Sequence, residues 1–295
     1  MSNGIPFPNI SPNLVEIPLG FATLPIRWYA LAYIVGIILG YQLARRTLAR
    51  THLWKNDTPP MDGPRLEEFL TWLIIGILAG GRIGYIVGYG DGQFLQDPLS
   101  IFRLWEGGMA FHGGFFGVVL AGLIFCWKHK LPLAGVGDTL ALGTPPGILL
   151  GRLANFINAE LWGRPTDMPW GVIFPGAAAQ DCAGVAGLCA RHPSQLYEAA
   201  LEGLLLGLVL VWLAYRRNWL KRPGMICGLF IAGYGIARFF VEFFRLADAQ
   251  FITPDNPLGH VVRFGEWGIT RGQQFSLPMI FVGLAILIQA ARRHR

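Results

Sequence analysis

Residues 67–88 read EEFLTWLIIGILAGGRIGYIVG, and from Phe69 to Gly88 the only charge is Arg82. Twenty such residues in a helix rise about 30 Å, the thickness of a bilayer's hydrocarbon core. A segment of this length and composition is a transmembrane helix, and its lone arginine needs a reason to be there. The same pattern recurs along the chain, predicting spans near 25–44, 67–88, 108–127, 134–157, 196–215, 224–244 and 275–291. The predicted fold is therefore an all-α polytopic membrane protein of about seven transmembrane helices, forming one membrane domain over residues 1–295.

Composition agrees: 53% of the chain is hydrophobic and 14% is charged, against roughly 25% charged residues in an average soluble domain. The net charge of +6 does not point to nucleic acid, because the basic residues follow the loops. Arg45, Arg46, Arg50, Lys55 and Arg65 follow the first span, Lys128 and Lys130 the third, Arg216, Arg217, Lys221 and Arg222 the fifth, and Arg292, Arg293 and Arg295 the last. Every second loop is basic, which predicts an outward amino terminus and a cytoplasmic carboxyl terminus. The first twenty residues lack the basic and apolar regions of a cleavable signal, so the amino terminus is expected to be retained. The longer loops 89–107, 158–195 and 245–274 then lie outside, and PLSIFRLWE at 98–106 has the character of an interfacial helix.

Small residues every fourth position predict close helix contacts: Gly36 and Gly40, Gly80, Gly84 and Gly88, Gly143, Gly147 and Gly151, Gly203 and Gly207. Pro145 and Pro146 predict a kink or break in the fourth span. No repeat suggests paired transporter halves. Cys126 and Cys227 read as small buried hydrophobes. Cys182 and Cys189 share a polar loop, either bonded or as free thiols. No metal-ligand cluster, nucleotide loop or Ser-His-Asp arrangement is evident, and no cofactor is implied.

The ionisable residues inside the spans carry the functional reading. Arg82, Arg152 and Arg238 lie about 21–27 Å from the cytoplasmic ends of their spans, and His112 about 6 Å from the outer end of its own. Arg82 is open to two readings, a snorkelling anchor or a ligand group. Around Arg152 stand Asn155, Asn158 and Glu160; around Arg238 stand Tyr234, Glu242 and Arg245, at helical spacing. Such faces either pair internally or present guanidinium forks to a phosphate. His112, flanked by Gly113, Gly114 and Gly117, is either a hydrogen-bonded structural residue or a base for a thiol or alcohol. Together these residues predict a cationic pocket in the outer leaflet whose natural ligand is a phospholipid headgroup. A transporter would instead place polar groups near the midplane with access from both sides, and a scaffold would use the charges only to pair helices.

The stretch GRLANFINAELWG at 151–163 resembles the signature of the prolipoprotein diacylglyceryl transferase family. His112-Gly113-Gly114, HPSQLYE at 192–198, the segment from Arg238 to Arg245 and QQFSLP at 273–278 resemble further blocks of that family, in its order. The resemblance covers nearly the whole chain. It implies a bacterial inner-membrane enzyme that moves diacylglyceryl from phosphatidylglycerol to the lipobox cysteine of a preprolipoprotein, forming a thioether and releasing sn-glycerol 1-phosphate. By motif, Arg152 and Arg238 would hold the phosphate with Asn155, Tyr29 and Tyr234, and His112 would be the base. Glu160, Gly163, Glu242, Asn158 and Arg82 would support them. The chain departs from the family pattern at Leu246-Ala247, where a proline is expected before Asp248, and in the cysteine pair of the 177–191 loop.

Overall fold

The computed structural model describes residues 4–18, 23–89, 97–103, 107–182, 185, 187–265 and 267–293. Residues 104–106 of the interfacial segment and Arg295 lie outside these.

Helices cover the seven apolar stretches: α1 (Trp28–Leu48), α2 (Gly63–Tyr89), α3 (Phe111–His129), α4 (Leu133–Gly143) with α5 (Pro145–Ile157), α6 (Ser194–Arg216), α7 (Met225–Val241) and α8 (Arg271–Arg293). Five of the segments are long and apolar enough to cross a membrane: 63–88, 111–129, 133–157, 194–216 and 271–293. Met225–Val241 is apolar and shorter. The chain is thus a mostly helical, polytopic membrane protein. The fourth segment breaks at Thr144, where Pro145 opens α5 at the first helical position, as the missing proline N–H dictates. The Thr144 hydroxyl donates to Leu140 O at 2.8 Å, satisfying a carbonyl near the break.

Short strands appear where the sequence reading has loops and at the start of the predicted 25–44 span. The first residues of that span, Pro25 to Arg27, are extended because proline disfavours helix there. β1 (Ile5–Pro6) pairs in parallel with β4 (Val172–Ile173), β2 (Asn13–Pro18) with β3 (Thr23–Arg27) antiparallel, and β5 (His260–Phe264) with β6 (Trp267–Thr270) antiparallel. Prolines and β-branched residues in these stretches disfavour helix and suit short edge pairings. The segment at Pro98–Phe102 is a 3-10 turn that leaves Leu99 and Phe102 exposed.

The chain forms two compact units, residues 1–44 with 138–295, and residues 45–137. In the first, Gly40 lies against the Gly143 carbonyl, where any side chain would collide with backbone. Gly203 of α6 similarly meets Leu149 of α5. Asp138 is fully buried and accepts from the backbone N–H groups of Gly224 at 2.7 Å and Cys227 at 2.8 Å, satisfying orphan donors at the start of α7. In the second unit, Gly76, Gly80 and Gly84 of α2 pack against Gly113 and Gly117 of α3. By contrast, among the described residues a side chain at Gly88 or Gly151 would meet nothing within 4 Å. The predicted small-residue contacts therefore form at most positions but not at these two.

An arginine–carboxylate cluster as the candidate active site

α5 ends at Ile157, and the chain reverses through Ala159 (φ 52°) and Leu161 (φ 57°). Two non-glycine residues in the left-handed region cost roughly 1–3 kcal/mol each, a cost the surrounding bonds must offset. The reversal brings Glu160 back onto the helix: its Oε1 accepts from Asn155 Nδ2 at 2.7 Å and from Asn158 Nδ2 at 3.3 Å. Gln195 Nε2 donates to the Glu160 carbonyl, and Ser194 Oγ donates to Leu161 O at 2.9 Å, tying the turn to the start of α6. Gly163 continues this contact. Its N–H donates to His192 O at 2.8 Å, and a side chain there would strike the Phe244 carbonyl and His192. Arg191, buried behind it, donates to the carbonyls of Ala179, Gly163 and Asp181. Cys182 and Cys189 in the same loop are disulfide-bonded, which decides the question the sequence leaves open.

One turn into α6, Glu198 is the centre of the charge cluster. Its Oε2 lies 2.8 Å from Arg152 Nε, and its Oε1 lies 2.6 Å from Arg238 Nη1 and 2.8 Å from Arg245 Nη1. Glu242 holds the other side of Arg238, with Oε2 2.9 Å from Nη2, and lies 3.5 Å from Arg245 Nε. Glu198 is 0% exposed, whereas the side chains of Arg152 and Arg238 keep 23% and 18% of their surface. The carboxylate is thus fully buried while both arginine side chains stay partly exposed, an arrangement that leaves positive charge nearer the surface, where an anion can pair with it. Asn155 Oδ1 stands 3.5 Å from Arg152 Nη1. Tyr234 is an electrostatic neighbour of both Arg152 and Arg238. Tyr29 shares a 3.0 Å hydroxyl contact with Tyr33 and is an electrostatic neighbour of Arg152 and Glu160.

The family profile described as prolipoprotein diacylglyceryl transferase matches residues 16–289. The chain belongs to this family. It is 57% identical over 286 residues, 97% of each chain, to a protein of Roseobacter denitrificans named phosphatidylglycerol–prolipoprotein diacylglyceryl transferase. It is 56% identical over 284 residues, 96% of each chain, to a protein of that name from Ruegeria pomeroyi. With a Rhizobium meliloti protein of the same name it shares 46% over 286 residues, 97% of this chain and 94% of the other.

Within this member of the prolipoprotein diacylglyceryl transferase family, the first unit holds Arg152, Asn155, Asn158, Glu160, Gly163, Tyr29, Tyr234, Arg238 and Glu242. Arg82 and His112 belong to the second unit. Arg82, 6% exposed, donates to the backbone carbonyls of Ile101 at 2.9 Å, Gly107 at 2.6 Å and Gly108 at 3.1 Å, and to that of Ser100. His112 is the second residue of α3, exposed, with its ring edge-on to Phe111. Among the described residues, no group of three or more His, Cys, Asp and Glu side chains is placed to hold a metal.

Sequence reasoning missed Glu198 and Glu202 as site residues. The signal was present: two acids four residues apart are the only acidic residues in the segment 194–216, and intramembrane acids mark functional positions by default. Arg245, read only as a neighbour of Arg238, proves a third arginine on Glu198.

Proposed function

We propose that this protein transfers the diacylglyceryl group of phosphatidylglycerol to the lipobox cysteine thiol of a preprolipoprotein, forming a thioether and releasing sn-glycerol 1-phosphate, the first step of bacterial lipoprotein maturation. The observation that carries this reading is the cluster of Arg152, Arg238 and Arg245 around the buried Glu198. The protein is read as one inner-membrane domain of seven spans, with its amino terminus and active site on the periplasmic side and its carboxyl terminus in the cytoplasm. Its ligands are a phospholipid and the preprotein, and it works from within the bilayer with neither nucleic acid nor cofactor.

Phosphatidylglycerol enters from the outer leaflet and places its phosphodiester against Arg152 and Arg238, with Asn155, Tyr29 and Tyr234 beside it. Glu160, Asn158, Gly163 and Glu242 hold these groups in place, and Arg82 secures the segment it binds. The cysteine thiolate attacks the glyceryl carbon, the carbon–oxygen bond breaks, and negative charge grows on the departing phosphate. Fixed guanidinium groups lower that barrier without reorganising. For the thiol proton, the family resemblance points to His112, whose imidazole can accept a proton from a thiol.

The test is release of glycerol phosphate by protein in vesicles containing phosphatidylglycerol and a lipobox peptide. Release is expected with the cysteine peptide, not with its serine counterpart, and is lost in folded Arg152→Ala protein. Folded protein that releases nothing with either peptide would refute the assignment.

A further inference from the structure

One acidic side chain in the cluster has no task in the reaction just described. Glu202 lies in the π-helical turn Ala199–Leu205 of α6, one turn beyond Glu198, and is 0% exposed. Neither of its carboxyl oxygens has a hydrogen-bond partner among the described residues, and neither forms an ion pair there. Arg152 of α5, Glu198 of its own helix, Tyr234 and Arg238 of α7 and the following Arg245 all lie within its electrostatic reach. The three arginines are already engaged by Glu198 and Glu242 at 2.6–2.9 Å.

A charged carboxylate in this position would be buried from bulk solvent, without a hydrogen bond among the described residues and beside the carboxylate of Glu198, an arrangement that costs several kcal/mol. The neutral acid avoids that cost and has a proton with no acceptor. The ion-paired cluster then carries three guanidinium groups against the two carboxylates of Glu198 and Glu242, a surplus of one positive charge that matches the single negative charge of a phosphodiester. An i→i+5 turn is itself uncommon, and single turns of this kind occur frequently at functional sites.

Building on the function proposed above, we infer that Glu202 is a proton donor in the transfer reaction and the group that then expels the product. The thiolate electron pair forms the carbon–sulfur bond, and the carbon–oxygen electron pair stays on the phosphate, which becomes a dianion. Glu202 passes its proton to a phosphate oxygen. Glycerol phosphate leaves as a monoanion, and the new Glu202 carboxylate competes with it for Arg152 and Arg238. The proton lost by the substrate thiol, carried by the base and water, restores the acid, so no other reactant is consumed.

Glu202→Gln keeps the shape and removes the transferable proton, whereas Glu202→Asp keeps the acid. In phosphatidylglycerol vesicles, Glu202→Gln is expected to lower kcat about 10²-fold with little change in KM. It is also expected to make glycerol phosphate a stronger inhibitor, while Glu202→Asp stays within about tenfold of the unsubstituted rate. Unchanged turnover in Glu202→Gln, or equal losses in both variants, would overturn the proton-transfer role. Infrared difference spectra between the substrate-free unsubstituted protein and Glu202→Gln give a second readout: a neutral-carboxyl band is expected in the former and is missing from the latter. Its absence from the substrate-free protein overturns the inference. If the unsubstituted protein releases no glycerol phosphate, the proposed function itself fails; if it and Glu202→Gln release it equally, only the inference does.

Discussion

Arg152 and Arg82 are both single arginines deep in apolar, glycine-rich helices, yet the structure uses them in different ways. Arg82 spends its donors on four backbone carbonyls of residues 100–108 and is buried. Arg152 meets the Glu198 carboxylate through Nε, and its side chain keeps 23% of its surface exposed. An arginine saturated by carbonyls holds a chain segment in place. One held at a single edge by a carboxylate keeps directed charge for a ligand. The partner type, not the depth in the membrane, separates the two roles.

The most severe challenge to this contrast is to remove each arginine in turn. Arg152→Ala and Arg238→Ala are expected to lower glycerol phosphate release about 10²- to 10³-fold in protein that still folds, the usual loss when a group stabilising transition-state charge is removed. Activity retained in both would erase the distinction. Arg82→Ala is expected to act on stability instead, by about 3 kcal/mol, because buried carbonyls lose charged donors. Thermal denaturation in detergent checks this, and turnover per folded molecule should fall far less than in Arg152→Ala.

Two smaller effects sharpen the picture of the framework around Glu160 and Gly163. Replacing Cys182 and Cys189 with serine opens a short covalent loop beside Arg191, and a loss of about 2 kcal/mol is expected. Denaturation with and without reductant should show it only in the unsubstituted protein. His192 precedes the membrane segment, and its Nδ1 lies 3.1 Å from the Tyr197 hydroxyl. Burial, and then the nearby Arg164 charge, lower its pKa below the ordinary histidine value of 6.5. Because the folded protein disfavours the proton, the stability from neutral His192 is complete above about pH 6.5 and is lost as pH falls through the folded pKa. His192→Gln should therefore denature with less dependence on pH below that point.

Much of this organisation is legible in the sequence because hydropathy and proline act locally. The long apolar runs, the break before Pro145 and the shared face of Arg152 and Asn155 follow from spacing along one helix, whereas Glu160 joins them only through the chain reversal at Ala159. The arginine cluster's centre was less accessible. Glu198 stands in a motif whose resemblance is plain, but nothing in its spacing says that it binds Arg152, Arg238 and Arg245 at once, since those residues come from separate stretches of chain. Likewise, the acid of Asp138 is visible in its span, while its task of capping α7 depends on residues 224–227, more than eighty positions away.

The sequence by itself determined that the chain has long apolar helices suited to a membrane, that charge is rationed to a few positions inside them, and that its motifs resemble one family of transferases. Only the tertiary structure decided which carboxylate each arginine meets, that Arg82 binds backbone carbonyls, that Cys182 and Cys189 are joined, and that Glu202 has no hydrogen-bond partner among the described residues. The physical reason is range: hydrophobicity and helix periodicity are properties of neighbouring residues, whereas a buried ion pair exists only after distant segments have packed and excluded water.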